Sequence, residues 1–299
     1  MLTILKKDHV YAMDRNNAPA AKAVSGETVC FETMDCFGGQ IECEDQHLGG
    51  LDWSRINPAT GPLYVEGAMP GDTLKVEILK IDVAEQAAVV EAPGEGVTGM
   101  AAKAENTRIM PVKDGKIIFN DVLSWPIRPM IGVIGTAPAG EAVATGTPDT
   151  HGGNMDCKRI GAGTTLYLPV YAEGALLAMG DLHAVMGDGE VCVCGAEIAG
   201  RVTVRVTVLK EAGLPLPFLV SEDKCMAIYS AEGLDAAAAG ATLRMRGFLM
   251  EKAGMKDYEA GMLLSLAGDL RVCQAVDPNK TCRMELDRAY TKKLGVVFP

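Results

Sequence analysis

Arg201-Val202-Thr203-Val204-Arg205-Val206-Thr207-Val208 alternates without a break, with valine at every even position and arginine or threonine at every odd one. Successive side chains of a strand point to opposite faces, so this segment turns one apolar face to a core and one polar face to water. Burial on one face marks an antiparallel strand, because parallel strands are covered on both faces and read as continuous apolar runs. Valine also suits a pleated surface, since its branched Cβ restricts χ1. The segment predicts a body built from antiparallel sheet.

Working outward, the same grammar recurs. Val29 to Thr33 alternates and runs into Met34-Asp35-Cys36-Phe37-Gly38-Gly39, a strand opening into a glycine turn. Gly61 to Gly67 reads as a short strand, and Pro70-Gly71-Asp72 turns the chain into Leu74 to Leu79, apolar at every second position. A faint repeat links these segments. Gly61-x-Leu63-x-x-x-Gly67 and Gly174-x-Leu176-x-x-x-Gly180 share a spacing, and each precedes an alternating strand that ends in Leu-Lys. A true repeat would pack two related β modules together; chance similarity between short glycine-flanked strands is the alternative.

The pattern changes after Pro215-Leu216-Pro217. Phe218 to Val220 and Cys225 to Tyr229 read as strands. A helix is expected from an Asp235 N-cap to about Lys252, with Gly254 as its stop, and a second from Asp257 to Ala267, halted by Gly268. Leu270 to Val276 reads as a strand stopped by Asp277-Pro278, and Met284 to Lys293 as a last short helix. The expectation is a mainly β protein with an α+β part: residues 1–217 as the β-rich body carrying the site, and 218–299 as a small C-terminal portion packed on it.

The formal net charge of −11 offers no basic patch to offset phosphate repulsion, so neither nucleic acid nor an anionic membrane is expected as a partner. No run of about 18 apolar residues is present, and the first residues lack the apolar stretch of a secretory signal. Nine cysteines without framework spacing read as reduced thiols, which predicts a cytoplasmic setting.

The chemistry concentrates between Asp149 and Glu190. Thr150-His151-Gly152-Gly153-Asn154-Met155-Asp156 and Gly180-Asp181-Leu182-His183, with Gly187-Asp188-Gly189-Glu190, hold two of the four histidines among carboxylates and glycines. That mixture suits a metal site or a general acid–base site. On a strand, Asp181 and His183 would share a face. Asp-Gly pairs more often make turns, so Asp181 and Asp188 stay open between site and turn. Asp35, at a strand end beside glycine, is placed for ligation. His9 and His47 stand apart and read as structural. No Gly-x-Ser-x-Gly is present, and Gly94-Glu95-Gly96 lacks the lysine and the strand–helix context of a phosphate loop.

These residues resemble the metal-dependent acetamidase/formamidase family, hydrolases of short aliphatic amides. The resemblance is carried by Phe31-Glu32-Thr33-Met34-Asp35-Cys36-Phe37-Gly38-Gly39-Gln40, by Asn57 to Ala68 with Pro70-Gly71-Asp72, and by Ile131-Gly132-Val133-Ile134-Gly135-Thr136-Ala137-Pro138. It continues through His151-Gly152-Gly153-Asn154-Met155-Asp156, Gly180 to Val191, and Leu264 to Arg271, in order and nearly end to end. It implies a β-sandwich, jelly-roll-like body with a small α/β C-terminal unit, homo-oligomeric, using zinc with calcium at an additional site. The family's metal carries over onto Asp35, His151 and His183. In the mechanism this implies, Glu190 is the base, Asn154 with the Gly152 and Gly153 amides polarises the carbonyl, and Asp156 orients a histidine. The substrate expected is a small linear amide. The alternatives are a longer or cyclic amide, or a non-catalytic metal- or ligand-binding β-sandwich.

Overall fold

In a computed structural model describing residues 1–299, the valine repeat forms the strand Gly200–Leu209. It lies between Thr28–Thr33 and Thr73–Val83 and is antiparallel to both. Val202, Val204 and Val206 are fully buried, whereas Arg201 and Arg205 remain exposed and pair across the strands with Glu32 and Glu77. The alternation read in the sequence is thus the burial pattern of the sheet.

Nine strands form that sheet. Leu2–Ile4 stands at one edge; then come Thr28–Thr33, Gly200–Leu209, Thr73–Val83, Thr165–Pro169, Phe218–Val220, Lys224–Ala231 and Lys280–Asp287, with Asp269–Gln274 at the other edge. A second sheet has Leu177–His183 near its middle, flanked by Met130–Gly135 and by Glu197–Ile198 and Ala59–Val65. The sheets pack face to face. Val29, Phe31, Val76 and Val204 of the first meet Leu63, Ile131, Leu177 and Leu182 of the second in one continuous core. Each such side chain contributes about 1.5–3 kcal/mol by leaving water. This is the β-sandwich body with a small C-terminal α+β unit expected from the sequence.

The faint repeat has a structural counterpart. Ala59–Val65 and Leu177–His183, which overlap the two copies, hydrogen-bond to each other, and the alternating strands that follow them pair as well. The two modules therefore face one another across both sheets.

Residues 218–299 extend the first sheet through the pairing of Thr165–Pro169 with Phe218–Val220. Helix α1, Leu234–Ala253, ends at Gly254, whose φ of 63° is a left-handed C-cap. Helix α2, Asp257–Ala267, ends at Gly268. Both lie over the sheet through Ala237, Met245, Phe248 and Leu264. The last helix is a correction. Met284 to Asp287 belongs to the strand Lys280–Asp287, and only Arg288–Lys293 is helical, with the Asp287 carboxylate capping the Ala289 N–H. Full-length pairing with Lys224–Ala231 overrides the local propensity there. No helix is long and apolar enough to cross a membrane.

The C-terminal unit is tied to the body by a buried cation. Arg283, almost fully enclosed, donates through Nε to Glu285 at 2.6 Å and through both Nη atoms to Asp188 at 2.7 and 3.0 Å. Beside it, the Gly189 N–H donates to the Cys273 carbonyl at 2.9 Å, and Ala275 N–H to the Gly189 carbonyl at 3.0 Å. Removing one partner of a buried pair strands the other charges. Arg283→Met should therefore lower unfolding stability by about 3 kcal/mol, the low end of the range because Asp188 is partly open to water. Arg201→Ala, which breaks a solvent-screened pair, should change it by less than ~1 kcal/mol. Urea denaturation of the two variants checks this, and equal losses would show that Arg283 is no clamp.

Candidate active site

His183 ends the strand Leu177–His183 with its imidazole enclosed. Its Nε2 faces four carboxylates: Glu197 Oε1 at 3.0 Å, Asp181 Oδ1 at 3.3 Å, Asp156 Oδ1 at 3.7 Å and Glu190 Oε1 at 3.8 Å. Each comes from a different stretch. Asp156 follows the strand Gly152–Asn154, Asp181 lies on the histidine's own strand, Glu190 ends the loop clamped through Asp188, and Glu197 begins the neighbouring strand Glu197–Ile198. Asp277 joins them from the turn after Asp269–Gln274 and lies against Asp156 and Asn154. That turn is held by Gln274, whose Oε1 accepts the N–H groups of Val276 and Asp277.

Reaching this arrangement requires unusual backbone. Asp156, Asp181 and Glu190 have φ of 41°, 54° and 45°, a left-handed region that costs side-chain-bearing residues about 1–3 kcal/mol each. Two glycines supply room. A Cβ on Gly132 would collide with the carboxylates of Asp156 and Asp181, and one on Gly195 would strike the His183 ring.

The electrostatics follow from burying many acids beside one base. Burial, then Asp181, pushes Asp156 up to about 7. Burial takes Glu197 up to about 8, against the pull of His183. Burial and Asp156 hold both Glu190 and Asp277 well above the usual carboxylate range. Burial by itself would depress His183, but Glu197 and Asp181 outweigh it and hold the imidazole well above 6.5. For Asp181 the attraction of His183 and its hydrogen bond reverse the effect of burial and leave it below its ordinary value. Asp156 Oδ1, Glu190 Oε2, Glu197 Oε2, Asn154 Oδ1 and Asp277 Oδ2 are all buried with no hydrogen-bond partner. Buried polar atoms are ordinarily paired, so this many convergent orphans mark a site that takes a polar or charged guest.

Two donor groups in the cluster have the spacing of metal ligands. Asp156, His183 and Glu190 form one; Cys36, Asp181 and Glu197 form the other. Within each, the donor atoms lie within 4.8 Å of one another, as ligands about 2.0–2.3 Å from a shared ion must. A cavity of about 190 Å³ opens onto the cluster, floored by Asn154, Asp156, Glu190 and Glu197 and walled by apolar Phe37, Leu48, Trp53 and Val193. A larger cavity of about 470 Å³ adjoins the Glu190–Ala196 segment; it is mainly apolar, with Asp188 and Glu190 at its edge. The smaller one holds the titratable groups and is the reaction cavity on chemical grounds.

Asp156, His183, Glu190 and Asn154 thus come together here, and Asp181 joins them, while Asp188 is drawn off into the ion pairs with Arg283 and Lys158. Asp156 meets His183 at the same Nε2 as the other acids, and Nδ1 has no partner. Asp35 sits one residue before Cys36 and accepts the Gly39 N–H at 3.0 Å, so it is Cys36 that lines the cavity. His151 lies elsewhere. Its carbonyl accepts the Thr136 N–H and its Nε2 lies beside Gly153, and it belongs to neither donor group around His183. His9 and His47 make ordinary hydrogen bonds, to Lys6 and Tyr11 and to Thr107. Sequence reading missed Cys36, Glu197 and Asp277. A signal existed for Glu197, a lone acid in the apolar run Gly195-Ala196-Glu197-Ile198; none existed for Asp277.

The model of the Acetamidase/Formamidase family matches residues 13–145 and 127–289. The chain is similar to an acetamidase of Bacillus halodurans of known crystal structure, with 51% identity and a TM-score of 0.97 over 99% of this chain and 100% of that one. It is also similar to a crystal structure from the thermophile Thermoanaerobacter tengcongensis, described as a predicted acetamidase/formamidase, with 42% identity and a TM-score of 0.96 over 99% of each chain. Against the formamidase of Methylophilus methylotrophus it is 28% identical over 62% of this chain and 60% of that protein. The chain spans about three fifths of the length of the curated relatives it matches.

His151 gives a measurable pH signature. Burial, against a small pull from Asp149, lowers it from 6.5 to about 4, and neither ring nitrogen has a partner. The unfolded chain therefore binds this proton first. The contribution is fully present above pH 6.5 and is lost as pH falls toward 4, up to about 3 kcal/mol in all. Urea midpoints at pH 7 and pH 5 should differ more for the native chain than for His151→Gln; parallel behaviour would mean that His151 carries its proton when folded.

Proposed function

This chain belongs to the Acetamidase/Formamidase family, and from that premise we propose that it hydrolyses the C–N bond of a short linear amide, of the formamide or acetamide type, to a carboxylate and ammonia. The observation that carries the reading is the convergence of four buried carboxylates on His183 Nε2 in a cavity of about 190 Å³. That volume is below the roughly 300–1,000 Å³ of pockets for drug-sized ligands, which favours a substrate of a few heavy atoms.

The donors fit a divalent ion. Asp156, His183 and Glu190 are a three-ligand nitrogen–oxygen set of the kind catalytic zinc uses, and Asp156 Oδ1 is orphaned. When bound, zinc supplies Lewis acidity and lowers the pKa of water to about 7. The adjacent set includes the Cys36 thiol, a soft donor that suits zinc rather than calcium, whose ligands are oxygens.

The remaining roles belong to the chain. Glu190 offers one oxygen to the ion set and keeps Oε2 free. With a cation beside it to favour its ionised form, that free oxygen takes a proton from the attacking water and returns it to the nitrogen as the C–N bond breaks. The Asn154 side chain is the polarising donor at the carbonyl oxygen, because the Gly152 N–H is already committed to the Asp149 carbonyl at 3.0 Å. Phe37, Leu48 and Trp53 keep the mouth apolar and strengthen every charge inside.

Ammonia release from formamide, acetamide, propionamide and benzamide, run beside elemental analysis of the protein, tests this. Chelation should abolish turnover and zinc should restore it, and Glu190→Gln should lower kcat by about 10²–10⁴-fold. Undiminished turnover in metal-free protein would sink the proposal, and a chain that binds zinc but releases no ammonia from any amide would be a binding protein.

A further inference from the structure

Back to back with the reaction cavity lies a second, larger one that the hydrolytic reading leaves unused. The apolar cavity of about 470 Å³ is lined by Val89, Met110, Phe119, Val185 and Val191, and its floor is the outer side of the Glu190–Ala196 segment. Phe119 and Trp125, with ring centroids 6.1 Å apart, form one wall on the hairpin that joins Lys116–Ile118 to Ser124–Pro126. At the Trp125 end this cavity runs into another of about 290 Å³, the two sharing Trp125, Val185 and Met186. The character of the lining changes there. Arg128, Lys158 and Arg159 converge on it with no acidic residue in the lining. Lys158 and Arg159 are paired with Asp188 and Asp223, but the guanidinium of Arg128 makes no hydrogen bond or ion pair within the chain.

With Lys158 and Arg159 neutralised and Asp188 and Glu190 lining the far end of the larger cavity, Arg128 is the one uncompensated cation at the mouth of this groove. A groove of a few hundred Å³ with an apolar body and a few convergent charges has the make-up of a small-molecule site. We propose that this groove binds a monocarboxylate with an apolar body of medium length, its chain or ring between Trp125 and Val185 and its carboxylate on Arg128. Guanidinium suits this task because its fork matches both carboxylate oxygens. The groove adjoins the reaction cavity and shares Glu190 and Cys194 with it, but Trp125, Val185 and Arg128 line only the groove.

Trp125 reports on the groove, and the only other tryptophan, Trp53, lines the reaction cavity. In full-length Trp53→Phe protein, octanoate should change Trp125 emission saturably. It should bind about 10–100-fold tighter than octan-1-ol, which keeps the chain without the charge, because hydrogen bonds to charged groups carry that advantage. Acetate, which keeps the charge without the chain, should give no saturation in the same range. Arg128→Gln is an exposed substitution that leaves the fold alone; it should weaken octanoate by about tenfold or more and leave octan-1-ol unchanged. Equal affinity for octanoate and octan-1-ol would overturn the proposal, as would an unaffected Arg128→Gln variant or no saturable signal. Emission that follows protein concentration, with a mass that doubles in sedimentation and no response to octanoate, would assign the groove to a second copy of the chain and overturn it too.

Discussion

Five carboxyl groups gather around a single imidazole: the buried Asp156, Asp181, Glu190 and Glu197, and the half-buried Asp277, whose Oδ2 is enclosed. All five cannot be ionised there on their own. Removing even one unpaired charge from water is expensive, and like charges a few ångströms apart raise each other's pKa. His183 can compensate one of them, so the rest must share protons or share a cation. The upward shifts of Asp156, Glu190, Glu197 and Asp277 express the first option, and the donor spacing of Asp156, His183 and Glu190 the second. The surrounding structure is organised so that this unfavourable cluster persists.

Its persistence depends on rigid neighbours. The sandwich core fixes the strand that carries Asp181 and His183, with Met130–Gly135 on one side and Glu197–Ile198 on the other. Gly132 and Gly195 remove the side chains that would keep the acids and the imidazole apart. The left-handed residues Asp156, Asp181 and Glu190 pull against ordinary backbone preference, and such strain survives only where packing over-determines the local conformation. The buried pairing of Arg283 with Asp188 provides that determination for the Glu190 loop.

The fold was legible because it rests on local periodicity. The valine repeat, the glycine stops at Gly254 and Gly268, and the proline-marked change near residue 215 each report a structural decision made within a few residues. The error at Met284 to Asp287 has the same origin in reverse: a long antiparallel partner decided the outcome, and local sequence does not record it. For the site, Asp156, His183 and Glu190 could be found because histidine and acids crowd one glycine-rich stretch. Crowding in sequence also grouped His151 with His183, but the two donor groups of the cluster include only His183. Cys36 lies 120 residues before Asp156 and Asp277 lies 80 residues after Glu197, and no spacing rule links such distant positions.

The clamp formed by Arg283, Gln274 and Asp277 bears on the order in which the molecule matures. Most of the acidic cluster lies before residue 200, but the turn that contributes Asp277 and the cation that pins the Glu190 loop both come after residue 270. During synthesis from the N-terminus, the strands that carry most of the acids emerge well before their last partners, and the main core is completed only with Met226, Ile228 and Cys273. Until the strand pair Asp269–Gln274 and Lys280–Asp287 has formed, the Glu190 loop lacks its Arg283 partner and the cluster lacks Asp277. Assembly of the chemistry is thereby coupled to the pairing of Asp269–Gln274 with Lys280–Asp287.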